Sequence, residues 1–302
     1  MGYSRSTSAD WGTYLDTTVR SKGSTKSIYT SRKMVGSLSP KGINREARDS
    51  ATNPESTPII VGLDVTGSMS RILDAMARHG LETMATQIYD RKPVTDPQLM
   101  CMGVGDAFYD SAPLQVTQFE SDIKLAEQLT QIWLEEGGGG NDSEGYILAW
   151  YFAAFHTQTD AWDKRGKKGF LFTIGDDGPT PYITKEQIEE VFGETPEFEK
   201  ITAEQLYKIV SEKYEVWHLC VEEGGSHRES DVKRWRDLIG ERAIILRDHK
   251  KMGEVITSIL QAFTGENKTA IVNSWDGTTG LIVQEAIKNV MANEVNEIHV
   301  FK

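Results

Sequence analysis

The stretch "TPIIVGLDVTGSMSRI", residues 57–72, decides how this chain is read. Ile59, Ile60, Val61, Gly62 and Leu63 form a short continuous apolar run, the pattern of a strand buried on both faces. The run stops at Asp64, and the hydroxyls of Thr66, Ser68 and Ser70 follow within six residues. Over 70–89 the apolar residues Ile72, Leu73, Met76, Leu81, Met84 and Ile88 fall near helical spacing. A buried strand therefore delivers one carboxylate and a crowd of hydroxyls to the start of a helix. Asp64 and Ser68 can simply cap that helix. Alternatively, the i, i+2, i+4 spacing across a glycine turn aims Asp64, Thr66 and Ser68 at one point, as a hard cation requires.

Working outward, the chain alternates short apolar runs with amphipathic ones. "LMCMGVGD" (99–106), "GFLFTIGD" (169–176), "EVWHLCV" (215–221) and "AIILR" (243–247) have the make-up of buried strands. "LQVTQF" (114–119) alternates like an edge strand, close enough to 99–106 to pair antiparallel with it. Helical patterns occupy 121–134, about 144–156, 231–239 and 251–263, with two more inside 180–213. The expected fold class is α/β: a Rossmann-like, doubly wound sheet, mostly parallel with one antiparallel edge strand, and helices on both faces. The expected organisation is an arm at 1–57, a main domain at 58–265 with a helical insertion at 180–213, and a tail at 266–302. The tail carries one helical pattern (280–292) and a strand-like "EIHVF".

The net charge of −12 is unevenly placed, +4 over residues 1–57 and −16 over the rest. An acidic body argues against binding a phosphate backbone, which needs clustered Lys and Arg. It suits a site that holds a cation. The arm is rich in Ser, Thr, Lys, Arg and Gly and reads as extended, ordered only by contact, with Tyr3, Trp11, Tyr14 and Tyr29 as spaced anchors. No apolar run approaches the length of a membrane span, and no N-terminal stretch has the make-up of a secretory signal. Cys101 and Cys220 each sit in an apolar segment and are expected to be buried free thiols. These features together give the expectation of a cytoplasmic protein with no membrane partner.

In open α/β sheets ligands bind beyond the carboxyl ends of the strands. Three loops expected at that edge carry oxygen ligands: "DVTGSMS" (64–70), "GGGGNDSEG" (137–145) and "GDDGPTP" (175–181). Oxygen-only donors suit Mg²⁺ or Mn²⁺, with room for Ca²⁺, and no Cys/His cluster points to zinc. Trp150, Tyr151, Phe152 and Phe155 are expected to be helix core, and His218 a satisfied buried histidine.

Asp64-Val65-Thr66-Gly67-Ser68 resembles the Asp-x-Ser/Thr-x-Ser signature of the von Willebrand factor type A (VWA) domain, where it forms the first loop of a metal-ion-dependent adhesion site (MIDAS). "FTIGDDGP" is similar to that family's third loop, and on this alignment Asp177 takes the metal role, with Asp176 the alternative. The resemblance covers roughly 58–265, including the order of elements. It departs at the second loop, where the family supplies a threonine and this chain offers Asn141, Asp142 or Ser143, with Asn141 nearest in position. The ligand set implied is Asp64, Thr66, Ser68, Asn141 and Asp177. The resemblance implies a non-enzymatic module whose bound cation takes a carboxylate from a protein partner. It is to an intracellular type, found in prokaryotes and phages, whose members commonly serve in assemblies alongside AAA+ ATPases.

Two other readings stand beside it. "DVTGS" also resembles the aspartyl-nucleophile motif of the haloacid dehalogenase superfamily, which would make Asp64 a phosphoryl acceptor. Against this, Thr66 stands where such phosphatases place a second aspartate, and a lysine clamp has to be sought in Lys164, Lys167 or Lys168. A structural protein that locks into an assembly through its arm is the third.

Overall fold

The computed structural model describes residues 6–135, 143–222 and 228–293, apart from the side chains of Ser8 and Ser68. Its centre is a six-stranded sheet, labelled here in chain order: β1 (Thr57–Asp64), β2 (Pro97–Val104), β3 (Leu114–Val116), β4 (Gly169–Gly175), β5 (Tyr214–Val221) and β6 (Ala243–Leu246). The spatial order is β6-β5-β4-β1-β2-β3. All neighbours are parallel except β3, which runs antiparallel to β2 with Met102 opposite Val116. The α/β, mostly parallel expectation with one antiparallel edge strand describes this sheet. The chain leaves β1 toward β2 on one side and returns to β4 on the other. The switch in direction therefore lies between β1 and β4, and such a switch opens a crevice at the carboxyl edge.

The helices bounding the sheet are α1 (Ser8–Leu15), α2 (Ser70–Ala75), α3 (Leu81–Arg91), α4 (Tyr146–Phe155), α5 (Lys185–Phe192), α6 (Ala203–Lys213), α7 (Glu229–Ile239), α8 (Met252–Phe263) and α9 (Gly277–Ile287). A π-type turn, Met76–Gly80, joins α2 to α3. Side chains alternate across a strand, so Ile59, Val61 and Leu63 enter the core under α2, α3, α8 and α9. Ile60 enters the other core, under α4 to α7. Asp64 has the parity of Ile60 and so belongs to the face covered by α4. That helix is apolar nearly all round and buried from Tyr146 to Ala154. Phe155, expected in the core, is 43% exposed because it ends the helix.

Two other segments, 121–134 and the arm, differ from their sequence expectation, while 180–213 matches it. The helix expected over 121–134 is only Lys124–Leu129 long. Beyond it the chain is held to the edge strand by the Gln115 side chain, which accepts from Trp133 N and donates to Trp133 O, both at 2.9 Å. The region 180–213 does hold two helices. Each opens with a capping box, Thr184 with Gln187 and Thr202 with Gln205, and a short antiparallel pair (Tyr182–Thr184 with Lys200–Thr202) ties their starts together.

The arm is not uniformly extended. Thr7 caps α1 in a reciprocal box with Asp10. Trp11, Leu15 and Val19 recur every four residues, and they join Ile28, Tyr29 and Leu38 in the core that also holds Ile72, Leu73, Met76 and Leu81. Polar contacts follow the same course: Tyr29 Oη donates to Leu73 O at 3.0 Å, and Arg20 pairs with Glu82. Arg45–Ala47 pairs in parallel with Thr157–Thr159. In the tail, Ile271, Val283, Ala286 and Ile287 are buried in this core too. Tyr3 and "EIHVF" lie outside the described residues. Among the described residues no helix is long and apolar enough to cross a membrane.

Candidate metal centre

Asp64 is the last residue of β1 and is fully buried. Its Oδ1 accepts from Thr66 N at 2.9 Å and from Thr66 Oγ1 at 2.5 Å. Its Oδ2 accepts from Tyr146 Oη at 2.7 Å. Thr66 is therefore brought to Asp64 by the turn itself, an Asx-type closure in which the side chain mimics a backbone turn. The Tyr146 hydroxyl also lies 3.5 Å from Asp177 N, so one aromatic side chain joins the first loop to the third. This crossing needs a glycine beneath it. A Cβ at Gly175 would fall 1.8 Å from the Tyr146 hydroxyl.

The third loop is fixed from outside. Trp235 Nε1 donates to Asp177 O at 3.0 Å, and Arg234 donates to Pro179 O at 2.7 Å and pairs with Asp231 at 3.2 Å. Trp235 stacks on His218 with centroids 3.7 Å apart, and the Tyr146 edge meets the same imidazole at 4.9 Å. His218 Nδ1 and Thr173 Oγ1 are 2.8 Å apart. Burial holds the imidazole well below its ordinary value, against the pull of the Gly175 carbonyl. His218 is buried as expected but only partly satisfied: Nδ1 is hydrogen-bonded, whereas among the described residues Nε2 has no hydrogen-bond partner, and the ring is a floor under the site. Cys101 and Cys220 are buried free thiols, as expected.

Asp64 is one of several acids at this edge. Burial pushes its carboxyl up, opposed by the hydrogen bonds from Thr66 and Tyr146 and assisted by the charge of Asp176. Glu144, at the end of the second loop, is also buried, and its carboxyl is raised by burial and then by Asp64, Asp106, Asp177 and Asp110. Asp106 and Asp110 come from the loop after β2, where Asp106 Oδ1 accepts from Phe108 N at 2.7 Å and Asp110 Oδ2 from Asp106 N at 2.8 Å. Among the described residues neither Asp64 nor Glu144 forms an ion pair with a lysine or arginine.

Of the residues expected to hold a cation, the structure brings Asp64, Thr66 and Asp177 to one edge, at the switch point. Asp176 is beside them, buried, and acts on Asp64 through its charge. The Ser68 side chain, Asn141 and Asp142 lie outside the described residues. Ser143, the other second-loop candidate, pairs with Gly178 in a two-residue parallel ladder that joins the second and third loops. Among the described residues, no group of three or more His, Cys, Asp or Glu side chains is disposed to hold a metal by itself, so hydroxyl and amide oxygens have to share the work. Sequence reasoning missed Glu144, Tyr146, Asp106 and Asp110. Glu144 lies in "GGGGNDSEG", directly after Asn141, Asp142 and Ser143.

The lysines considered as a clamp are elsewhere. Lys168 precedes β4 at the amino edge of the sheet and pairs with Glu215 at 3.5 Å, Lys164 pairs with Asp160 at 2.6 Å, and Lys167 lies 3.9 Å from Glu55. The length of β4, at a strand rise of about 3.3 Å per residue, separates them from Asp64.

No protein-family model matches the chain, and no curated protein matches it. Among solved structures it is similar to the pilus adhesin SpaC from Lactobacillus rhamnosus GG, with TM-score 0.49 and 12% identity over 74% of this chain and 32% of that one. It is also similar to proximal thread matrix protein 1 (PTMP1) from the mussel byssus, with TM-score 0.44 and 9% identity over 68% of this chain and 47% of that one. A form of PTMP1 with a zinc-occupied MIDAS motif gives TM-score 0.44 and 8% identity over 72% of this chain and 48% of that one. The chain thus spans about a third of the adhesin and under half of the byssus protein.

Proposed function

We propose that this chain is a cation-dependent protein-binding module. In this reading a divalent ion sits at the carboxyl edge between β1 and β4, and a partner protein offers it an Asp or Glu side chain. The observation that carries the reading is Asp64, a fully buried carboxylate at the switch point with no lysine or arginine partner among the described residues and further acids around it. Burying such a charge among like charges is costly unless a cation or proton compensates it. The donors present fit a hard ion, since Asp64, Thr66 and Asp177 offer only oxygen. Ser68 and Asn141 would complete the set, as the resemblance of "DVTGS" to the MIDAS signature implies. The ion is Mg²⁺ in the first instance, with Mn²⁺ or Ca²⁺ as alternatives. Bound there, it supplies a Lewis-acid position for an incoming carboxylate. The residues of this chain orient the donors: Thr66 and Tyr146 fix Asp64, and Trp235 fixes the backbone of Asp177.

Chemistry at Asp64 is not part of the proposal. Phosphatases with a comparable aspartyl motif carry a second aspartate as general acid two residues on, where this chain has Thr66, whose hydroxyl donates to Asp64. The module is proposed to act in the cytoplasm, within an assembly whose motor is an AAA+ ATPase, without nucleic acid or membrane as partner. Retention of protein partners on the immobilised chain in Mg²⁺ and their release by EDTA tests this. Identical retention in both buffers, or in an Asp64→Ala column, contradicts it.

A further inference from the structure

Glu144 is placed by three constraints. In the two-residue ladder it stands opposite Pro179, and its carbonyl accepts from Thr180 N at 3.3 Å, which fastens it to the third loop. Its neighbour Gly145 touches the loop after β2, since a Cβ there would fall 2.4 Å from Gly105 O. The next residue, Tyr146, donates to Asp64. The Glu144 carboxylate is thus held among the three loops that carry Asp64, Asp106 and Asp177, and those acids with Asp110 are its charged neighbours. It is 4% exposed, and among the described residues its Oε2 has no hydrogen-bond partner.

An unpartnered buried carboxylate oxygen is costly, more so than an unpartnered neutral polar group. The charges that act on it, those of Asp64, Asp106, Asp177 and Asp110, have the same sign as its own, and among the described residues it forms no ion pair. A cation between Asp64 and Glu144 satisfies both carboxylates at once. Resting on the cation reading above, we propose that Glu144 is a direct ligand of the ion at Asp64 and supplies the second loop's anionic oxygen. This adds a charge where the resemblance places a neutral threonine and where Asn141 was expected. The ion is then held more tightly, and its remaining attraction for a partner's carboxylate is reduced.

Calorimetry with Mn²⁺ and Mg²⁺ on chelator-treated full-length protein tests this, with wild type, Glu144→Gln and Glu144→Asp compared after their ion-free melting curves confirm folding. Wild type is expected to bind one ion, and Glu144→Gln to bind it about tenfold more weakly or worse. Glu144→Asp keeps the charge but draws the oxygens back by one methylene, and it is expected to lose affinity as well. Affinity in Glu144→Gln within twofold of wild type overturns the assignment. So does full affinity in Glu144→Asp, which reduces Glu144 to a charge acting through space. Should Glu144→Gln fail to fold, the Asp variant alone decides. Absence of binding by wild type is a different result: it overturns the cation reading and this inference with it.

Discussion

The Tyr146 hydroxyl links two loops that are far apart in sequence, the first through Asp64 and the third through Asp177 N. Tyr146→Phe removes its bond to Asp64 and its contact with Asp177 N while leaving every proposed ligand in place. Loss of one buried, charge-assisted hydrogen bond is expected to cost about 1.5–3 kcal/mol in urea denaturation. It should also weaken the ion, because Asp64 is no longer oriented. Gly175→Ala should give the same two effects by pushing the ring aside, since its Cβ would overlap the hydroxyl. Wild-type cation affinity in both variants would show that Tyr146 is only packing. At the same scale, beryllofluoride is expected to leave Asp64 unmodified, as judged by intact mass and by fluorine resonance. A stoichiometric adduct at Asp64 would instead support the phosphoaspartate reading.

At the scale of elements, the sheet was legible because buried parallel strands are continuous apolar runs, and those runs punctuate this chain from 58 onward. The first and third loops were legible for the same reason: each is the end of such a run. What escaped the sequence was held by side-chain geometry. The helix expected to 134 stops early because Gln115 captures Trp133, a contact across 18 residues that no periodicity records. Glu144 and Tyr146 escaped because their roles depend on how three loops meet. The arm's helix did leave a signal, in Trp11, Leu15 and Val19 at intervals of four and the Thr7–Asp10 capping box, but both are short and lie in a polar setting.

Two element-scale predictions follow from how that arm is attached. Trp11→Ala removes a fully buried indole and is expected to cost about 3–5 kcal/mol, with limited proteolysis then cutting within the first 50 residues. Continued protection would mean that Trp11 is not the anchor. The second concerns Asp49, whose carboxylate is bound by Arg165 at 2.7 Å and by Ser56 N at 3.0 Å. Burial raises this carboxyl, but Arg165 and Ser56 outweigh it and hold it well below the usual range. A depressed folded-state value contributes stability above the unfolded value of about 4 and loses it as pH falls through the folded one. Asp49→Asn should therefore be less stable than wild type at pH 7, with the gap narrowing below about pH 4. A gap that is unchanged down to pH 2 in urea titrations would remove the ion pair from the account.

For the molecule as a whole, the arm and tail share their core with the domain between them, so the expected division into arm, domain and tail does not correspond to separate cores. Deleting residues 1–57 would strip Trp11, Leu15, Val19, Ile28, Tyr29 and Leu38 from that core and remove the arm's positive charge from a body at −16. The truncated chain is expected to aggregate or melt far below the full one. Metal affinity is therefore measured on the intact chain. The central claim is that the carboxyl edge between β1 and β4 holds a divalent cation through Asp64, and its most direct test is calorimetric titration of intact, chelator-treated protein with Mg²⁺ and Mn²⁺, beside Asp64→Ala. One site in wild type and none in the variant is the predicted result; no binding to either, or equal binding to both, would contradict it.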